Sequence, residues 1–310
     1  MNIVAVVPVS GSDLEYQKDE FLYLNNKNIL DYTLDILVST QALIDVIVST
    51  DSVLIANYIE DNYSNVKLYF RDDESKNKDL SSVIDETVSD YEKQNLIAID
   101  YVVQSWINYP FRKQNLIKRV INIIEQDLSI DSLFCSGSEF NTYWYYDGSE
   151  VNRITTDRGR SRKSGKPILR DLKGLCSIAK RINLKNGYFI GGDIATYSIN
   201  DHLCTINIHE HQDLYIAKLV AQNYNPFSNE DIESNEETEF SNSNQVYKYS
   251  KRNVLSSNKF LSKGSIITRE DIEIVKSEIG IEESKLEKVL NKKLAYDLEK
   301  NKTFTFGWLV

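Results

Sequence analysis

Short apolar runs alternate with longer amphipathic segments along the first half of the chain. The runs are rich in Val and Ile at consecutive positions, which is typical of strands buried on both faces of a parallel sheet. They occupy residues 2–8, 45–50, 66–70, 99–104 and 132–136. Between them, apolar residues recur at helical spacing in segments 28–40, 54–63, 80–91 and 116–124. The alternation predicts βαβ units and therefore an α/β fold with a doubly wound, mostly parallel sheet.

The pattern changes after Ser136. Asp147-Gly148 separates two β-prone stretches and predicts a hairpin. Two more strands are predicted at 186–190 and 204–208, followed by an amphipathic helix at 213–221.

An acidic, polar stretch at 223–245 divides the chain. It contains few apolar residues, so we expect a linker there. The linker separates a domain at 1–222 from a smaller domain at 246–310, which has short β-like runs, a turn at Lys263-Gly264 and a helix around 283–290. A chain of 310 residues is long enough for two domains.

Composition and charge narrow the classes of partner. Lys and Arg number 36 against 46 Asp and Glu, for a net charge of −10, so neither nucleic acid nor an anionic membrane is expected as a partner. No apolar stretch approaches the ~18 residues of a membrane span, and a basic leader is absent. Cys135, Cys176 and Cys204 lie far apart without metal-ligand spacing, so we expect buried thiols and a cytoplasmic protein.

The loops at the carboxyl ends of the predicted strands carry a series of short motifs. They are the first strand ending in Pro8, VIVSTDS at 46–52, Arg71 followed by Asp79, Ser81 and Ser82, Val103-Gln104 with Pro110-Phe111-Arg112, DSLFCS from Asp131, NGYFI at 186–190, and INIHEHQDLYIAKLV from Ile206. In order and spacing, over residues 1–222, this series resembles the acylneuraminate (nonulosonate) cytidylyltransferases, which make CMP-sialic acid and its relatives. The resemblance implies a Rossmann-like sheet of the nucleotide-diphospho-sugar transferase type.

The resemblance also implies a reaction and its ligands. The anomeric hydroxyl of an acidic nine-carbon sugar attacks the α-phosphate of CTP, pyrophosphate leaves, and a divalent cation shares the developing charge. The implied nucleotide-binding residues are Ser10, Gly11, Ser12, Lys18, Arg71 and Ser82, and the implied substrate-binding residues are Asp51, Gln104, Arg112 and Asn186. Mg²⁺ is the implied cofactor, with Mn²⁺ or no metal as alternatives, and the implied assembly is a homodimer.

The chain departs from the family in the loop after the first strand. The family carries an Arg and a Lys there for the phosphates, where this chain has Ser10 and Leu14. Asp13 and Glu15 would repel a triphosphate. A tight turn without a ligand is therefore the alternative interpretation of this loop.

The chain departs again at the family's metal site. Two Asp at positions i and i+2 of a strand correspond here to Asn207 and His209. A neutral amide is a weaker ligand for a hard cation, and imidazole prefers softer metals than Mg²⁺. A Zn²⁺ or Mn²⁺ site with Glu210 and His211, or a simple helix start, are the alternatives. No catalytic residue is predicted, and the alternative function is a catalytically degenerate member of the fold that binds a sugar or a partner protein.

Several residues carry two interpretations. Asp51 either meets the sugar or caps a turn, and Arg71 and Arg112 either clamp an anion or form surface ion pairs. The basic run from Arg158 to Arg170 is either a sugar-binding loop or a solvated one. The aromatic segment Tyr143–Tyr146 suits either a dimer interface or an intramolecular core.

The C-terminal domain has a resemblance of its own. Residues 251–281 and 292–309, with the Lys263-Gly264 turn, look like the SAF (antifreeze-like) domain that ends bacterial sialic acid synthases, a compact β-clip. In those synthases an Arg of this domain reaches the partner subunit's sugar site. Arg252 is the nearest position here, and a structural role for Arg252 is the alternative.

Overall fold

A computed structural model describes most of the chain. The described residues are 1–11, 22–72, 78–140, 143–146, 150–153, 168–223, 246–249, 252–277, 280–281, 283–305 and 309. The chain divides into two compact units, Met1–Lys248 and Tyr249–Val310.

Strands and helices alternate through the first unit. The strands up to the boundary are β1 (Ile3–Val9), β2 (Tyr23–Leu24), β3 (Lys27–Asn28), β4 (Asp45–Thr50), β5 (Val66–Phe70), β6 (Tyr101–Gln104), β7 (Ser132–Glu139), β8 (Trp144–Tyr146), β9 (Val151–Arg153), β10 (Ile168–Asp171), β11 (Ser177–Lys180), β12 (Ile194–Ile199) and β13 (Val246–Tyr249). The helices are α1 (Ile29–Val38), α2 (Val53–Asn62), α3 (Leu80–Asn95), α4 (Leu116–Gln126), α5 (Arg181–Lys185) and α6 (His211–Ala221). The elements predicted for the first half of the chain are confirmed, with ends that differ by a few residues.

Nine strands form one sheet. Their order is β13-β12-β7-β11-β6-β1-β4-β5, and β10 pairs with β7 beside this path. β6, β1, β4 and β5 pair in parallel, as do β7 and β12, whereas β11 is antiparallel to both of its neighbours. The predicted doubly wound, mostly parallel sheet is therefore confirmed. The carboxyl ends of its parallel strands lie along one edge, which is where open α/β sheets bind ligands.

Helices cover the two faces of this sheet. Side chains alternate between the faces, so Val103 packs in the larger core with residues of α1, α2, α4 and α6. Val102 packs in the smaller core with residues of α3 and α5. The helices α1, α2 and α3 begin at Asn28, Ser52 and Asp79, whose side chains accept a backbone N–H of the first turn. No helix among the described residues is long and apolar enough to span a membrane.

Two predicted strands were wrong. Residues 186–190 form a turn after α5, with Gly187 at a φ of 84°, because the apolar residues Phe189 and Ile190 pack under the sheet from a loop. Residues 204–208 are irregular, and Ile208 exchanges hydrogen bonds of 2.9 Å in both directions with Asn108. The strands that do form in this part of the chain, β11 and β12, were not predicted.

The two strands of the predicted hairpin are confirmed. β8 and β9 pair antiparallel, with Tyr146 opposite Val151, and Asp147-Gly148 lies outside the described residues.

The second unit has its own apolar core. β14 (Arg252–Ser257) pairs antiparallel with β15 (Ile272–Ser277), and Gly264 has a φ of 84° at the predicted turn. The predicted helix is a 3₁₀ helix at Glu283–Lys288. The core residues are Leu255, Leu261, Ile267, Ile281, Val289, Leu294, Leu298 and Phe304. The unit begins three residues later than the predicted 246, because β13 pairs with β12 of the large sheet.

Candidate functional site

A polar cluster lies at the carboxyl ends of β1 and β4. These strands pair in parallel with Val9 opposite Thr50, so the turn after β1 lies beside the residue that follows β4. That residue, Asp51, accepts the Gly11 backbone N–H at 2.8 Å and the Ser10 hydroxyl at 3.2 Å. The structure therefore brings together Ser10, Gly11 and Asp51, and Asp51 shapes the turn as the capping alternative supposed.

Arg71 joins this cluster from the end of β5. Its backbone N–H donates to the Thr50 carbonyl at 2.7 Å, and its Nη2 donates to the Val9 carbonyl at 2.9 Å. The guanidinium lies 3.6 Å from Asp51 Oδ1, and the side chain is only 9% exposed. Its Nε is buried without a hydrogen-bond partner in the described part of the chain. A buried guanidinium with an unused N–H donor, next to a turn, can bind an anion.

Ser82 belongs to the start of α3. Its backbone N–H and its hydroxyl donate to Asp79 at 3.1 Å and 2.7 Å, which completes the helix cap. These hydrogen bonds hold the pKa of Asp79 below its usual value. The geometry assigns Ser82 a capping role, and its predicted contact with the nucleotide stays a prediction.

Gln104 ends β6, the neighbour of β1 in the sheet. The residue is 7% exposed, and its side chain has no hydrogen-bond partner among the described residues. An amide can both donate and accept, so this buried group is ready to pair with a hydroxyl or a base.

Arg112 does not lie in the site. It is completely buried, and its guanidinium donates to the carbonyls of Leu175, Trp106 and Gly174 and to the Thr33 hydroxyl. Burial lowers the pKa of Arg112. Both interpretations from sequence, an anion clamp and a surface ion pair, are corrected: the side chain ties the loops after β6 and before β11 into the core.

Asn186 also lies away from the site. It is exposed in the turn after α5, and α5 follows Lys180, which pairs with Tyr101 at the beginning of β6. That position is at the edge where the parallel strands begin, opposite the edge that carries Arg71. The predicted substrate contact of Asn186 is not supported, because the segment forms a turn instead of a strand.

Asn207 and His209 face each other. Asn207 Nδ2 lies 2.8 Å from His209 Nε2 and 3.0 Å from the Tyr109 hydroxyl, whose pKa burial raises to about 12. Asn207 Oδ1 is buried and has no partner in the described part of the chain. Asp213 accepts the backbone N–H groups of His209 and Glu210, so this segment is a helix start, one of the alternatives stated above.

This donor set does not fit Mg²⁺. Mg²⁺ requires near-octahedral oxygen ligands, whereas His209 offers an imidazole nitrogen, and the amide nitrogen of Asn207 pairs with it. Across the residues with described positions, no group of three or more His, Cys, Asp or Glu side chains is arranged to hold a metal ion. Mn²⁺, which accepts imidazole more readily, stays a prediction.

The remaining predictions divide between described and undescribed residues. Ser12, Lys18 and the basic run from Arg158 through Lys166 lie outside the described residues. Arg170, the last of that run, donates to Glu139 at 2.9 Å. The three cysteines are buried free thiols, as expected.

The aromatic hairpin is exposed. Trp144, Tyr145 and Tyr146 are 60%, 56% and 65% exposed, which does not support the alternative of an intramolecular core.

Comparison with known proteins completes the description of the site. No family model matches the chain, and no curated protein matches its sequence. Among solved structures, the chain is similar to 4-diphosphocytidyl-2C-methyl-D-erythritol synthase from Anaerococcus prevotii, with 12% identity, a TM-score of 0.51 and coverage of 71% of this chain and 96% of the synthase. The chain has a Rossmann-like nucleotide-sugar transferase fold.

Two further structures are similar. A second 4-diphosphocytidyl-2C-methyl-D-erythritol synthase matches with 12% identity, a TM-score of 0.50 and coverage of 71% of this chain and 99% of that one. A CMP:2-keto-3-deoxy-manno-octonic acid synthetase, complexed with CTP, matches with 11% identity, a TM-score of 0.43 and coverage of 60% and 77%. The likeness to the two 4-diphosphocytidyl-2C-methyl-D-erythritol synthases establishes the fold, and the ligand has to be argued from the site.

Proposed function

We propose that the chain is a nucleotidyltransferase that activates a nonulosonic (sialic-type) acid with CTP and releases pyrophosphate. The observation that carries the proposal is Arg71, a buried guanidinium with an unpartnered Nε beside the Ser10-Gly11 turn. It lies at the carboxyl ends of β1, β4 and β5, the edge where sheets of this kind bind ligands. The products named for the similar synthases carry a cytidyl group, which supports CTP as the nucleotide.

The residues at this edge suit the charge and the orientation that such a reaction needs. Phosphoryl transfer depends mainly on positioning and on offsetting negative charge. Arg71 supplies a cation in a site that is largely closed to water, where its charge is weakly screened. Gln104 supplies an amide for the sugar or the base. Because Asn207 and His209 do not fit Mg²⁺, no step is assigned to a cation at those residues.

A second function, binding of a sugar or a partner protein without turnover, is favoured by one observation. Asp51 already accepts the Ser10 hydroxyl and the Gly11 N–H, the two donors that a phosphate would use at this turn. A carboxylate at that position also repels phosphate.

The proposal also covers the oligomeric state, the type of the second unit and the cellular location. The exposed aromatic side chains of β8 suit a homodimer interface, where such residues are enriched. The antiparallel β14–β15 pair and the turn at Gly264 are in keeping with a SAF-type domain for the second unit. The acidic net charge and the three free thiols suit a cytoplasmic protein that binds neither nucleic acid nor membranes.

Calorimetric titration of the full chain with CTP, in Mg²⁺ and again in Mn²⁺, tests the proposal, with UTP as the control for the base. Saturable CTP binding, followed by pyrophosphate release that depends on N-acetylneuraminic acid, is the expected result. Binding of the free sugar without any binding of CTP would instead establish the second function.

A further inference from the structure

Four side chains form a row across four neighbouring strands of the sheet. Gln104 of β6 lies directly opposite Ser177 of β11, and Ser177 lies opposite Phe134 of β7. Phe134 in turn lies opposite Thr196 of β12. Residues directly opposite each other in adjacent strands point to the same face, so the four side chains share one face of the sheet. We refer to them as the cross-strand row.

Apolar side chains surround the β6 and β11 end of the row. On the same face, Val102 lies two residues before Gln104, and Ala179 lies two residues after Ser177. Both belong to the core under α3 and α5. On the opposite face, Val103 and Ile178 belong to the larger core. Positions buried on both faces of a mostly parallel sheet are normally apolar. Toward β12 the same face carries further buried polar side chains, Ser132, Ser136 and Ser198, so the row lies where the apolar core meets a polar part of this face.

Two members of the row lack hydrogen-bond partners. Gln104 is 7% exposed and Ser177 is 5% exposed, and within the described residues neither side chain has a partner. Neither residue supplies one of the fully buried side-chain atoms that lack a partner in the described part of the chain, so their polar groups keep contact with solvent and can pair with a ligand. At the other end, the Thr196 hydroxyl contacts the Phe134 carbonyl at 2.9 Å and the Ser136 hydroxyl at 2.8 Å, which fixes its position.

The composition of the row indicates the chemistry of its ligand. It contains no charged group, so it is a poor match for a phosphate or a carboxylate. Its centre is the half-buried ring of Phe134, with an amide and a hydroxyl on one side and a hydroxyl on the other. A sugar presents the same alternation, because its C–H faces pack on aromatic rings while its hydroxyl groups donate and accept hydrogen bonds.

We infer that the cross-strand row binds the uncharged, hydroxyl-bearing part of the sugar. The inference rests on the proposed function, which supplies a sugar as the second substrate, and it assigns roles to Phe134 and Ser177 as determinants of sugar specificity. Arg71 lies on the other side of β1 in the strand order and serves the anionic ligand. The charged group that serves the anion and the uncharged groups that serve the sugar are thereby separated along the same sheet.

Titration of the full chain with N-acetylneuraminic acid, and separately with CTP, tests the inference in matched pairs of variants. Ser177→Ala removes a hydroxyl from the row, and Ser132→Ala removes a hydroxyl on the same face of β7, which among the described residues bonds only to Gly191. Phe134→Leu removes the ring of the row, and Phe189→Leu removes a ring packed in the core under α3 and α5.

Ser177→Ala is expected to weaken sugar binding about fivefold and Phe134→Leu about tenfold, as the loss of one hydrogen bond or one ring contact does. Neither variant should change the affinity for CTP. The two controls should lower the midpoint of urea unfolding and leave sugar binding unchanged.

Two results would overturn the inference: wild-type affinity for the sugar in both row variants, or no saturable sugar binding by the wild-type chain. Loss of CTP binding alone, with the sugar results as expected, would overturn the proposed function and leave the sugar assignment standing.

Discussion

Arg71 and Arg112 each follow a strand of the same sheet but have opposite environments. Arg112, after β6, is completely buried and donates to three carbonyls and one hydroxyl. Arg71, after β5, donates to one carbonyl, lies 3.6 Å from one carboxylate and keeps a buried Nε without a partner in the described part of the chain. Both arginines look like anion clamps in the sequence. The difference teaches that the number of satisfied donors, more than burial or charge, separates a structural arginine from one available to a ligand.

The neighbourhood of Arg112 shows how a buried arginine acts as a structural hub. The Gly174 carbonyl accepts hydrogen bonds from Arg112 at 3.1 Å and from the Trp106 backbone at 2.7 Å. Gly174 has a φ of 85°, and the ring of Trp106 packs directly over it. The loops after β6 and before β11 are held by this arrangement, which leaves Arg112 no role at the surface.

Replacement of the structural arginine should have the largest effect. Arg112→Met removes four buried hydrogen bonds and leaves the Leu175 carbonyl without its charged donor, so we expect a loss of about 3–5 kcal/mol in the free energy of unfolding. Urea denaturation measures the loss. Unchanged stability together with abolished CTP binding would show instead that Arg112 belongs to the nucleotide site and has no structural role.

Gly174→Ala should have the second largest effect. A Cβ at this position would lie 2.2 Å from the Trp106 ring, and the positive φ is strained for any side chain. We expect a loss of about 2–4 kcal/mol in unfolding free energy and an altered tryptophan fluorescence spectrum.

Gly187→Ala is the matched control for that variant. Gly187 has nearly the same φ, 84°, but no atom lies within 4 Å of the added Cβ. It should therefore lose only the part of the stability that comes from the φ angle, about 1 kcal/mol. Equal losses in the two variants would show that Trp106 moves aside freely.

Replacement of the available arginine should affect binding more than stability. Arg71→Ala removes the buried cation from the turn, so we expect CTP affinity to fall at least about tenfold, or about 1.4 kcal/mol. The free energy of unfolding should change by about 1 kcal/mol or less, because only one hydrogen bond is lost. Titration calorimetry with CTP is the measurement, and Arg119→Ala, at an exposed arginine of α4, is the control.

Variants at the cap of α3, which Asp79 and Ser82 form, should have the smallest effect. Asp79→Ala should cost about 1 kcal/mol of unfolding free energy near pH 7. Because the folded-state pKa of Asp79 is lowered by Ser82, its stabilising effect is present above the unfolded pKa and is lost as the pH falls through the folded pKa. The difference from wild type should therefore shrink below about pH 4.

Two companion variants separate capping from binding. Asp79→Asn keeps an N-cap side chain and should stay close to wild type near pH 7. Ser82→Ala should leave CTP affinity unchanged if capping is the whole role of Ser82. A marked loss of CTP affinity in Ser82→Ala would extend the nucleotide site to α3.

Prediction from sequence was most successful where a local pattern carried the information. The runs that became β1, β4 and β5 are apolar because they are buried on both faces, and the polar residues that end them had to lie at one edge of a parallel sheet. Ser10, Gly11, Asp51 and Arg71, which the family resemblance assigned to the ligands, therefore lie close together at that edge. The IATYSI segment of β12 is rich in β-forming residues and was a signal that the prediction missed.

Prediction failed where the outcome depended on contacts distant in sequence. Asn186 looked like the start of a strand, but the segment turns because Gly187 takes a positive φ and β12 forms farther along. The row through Ser177 and Phe134 exists only because β11 inserts antiparallel between β6 and β7. No local pattern states the position of a strand within a sheet.

The sequence by itself determined the class of the fold and the edge of the sheet that carries polar loops, because hydrophobic periodicity is a local property. The tertiary structure decided which polar side chains remain available. The guanidinium of Arg112 donates to carbonyls that lie more than sixty residues away along the chain, whereas Arg71 keeps a buried Nε without a partner in the described part of the chain. Hydrogen-bond satisfaction is a property of the packed chain, since each donor is filled by whichever acceptor the fold brings within about 3 Å.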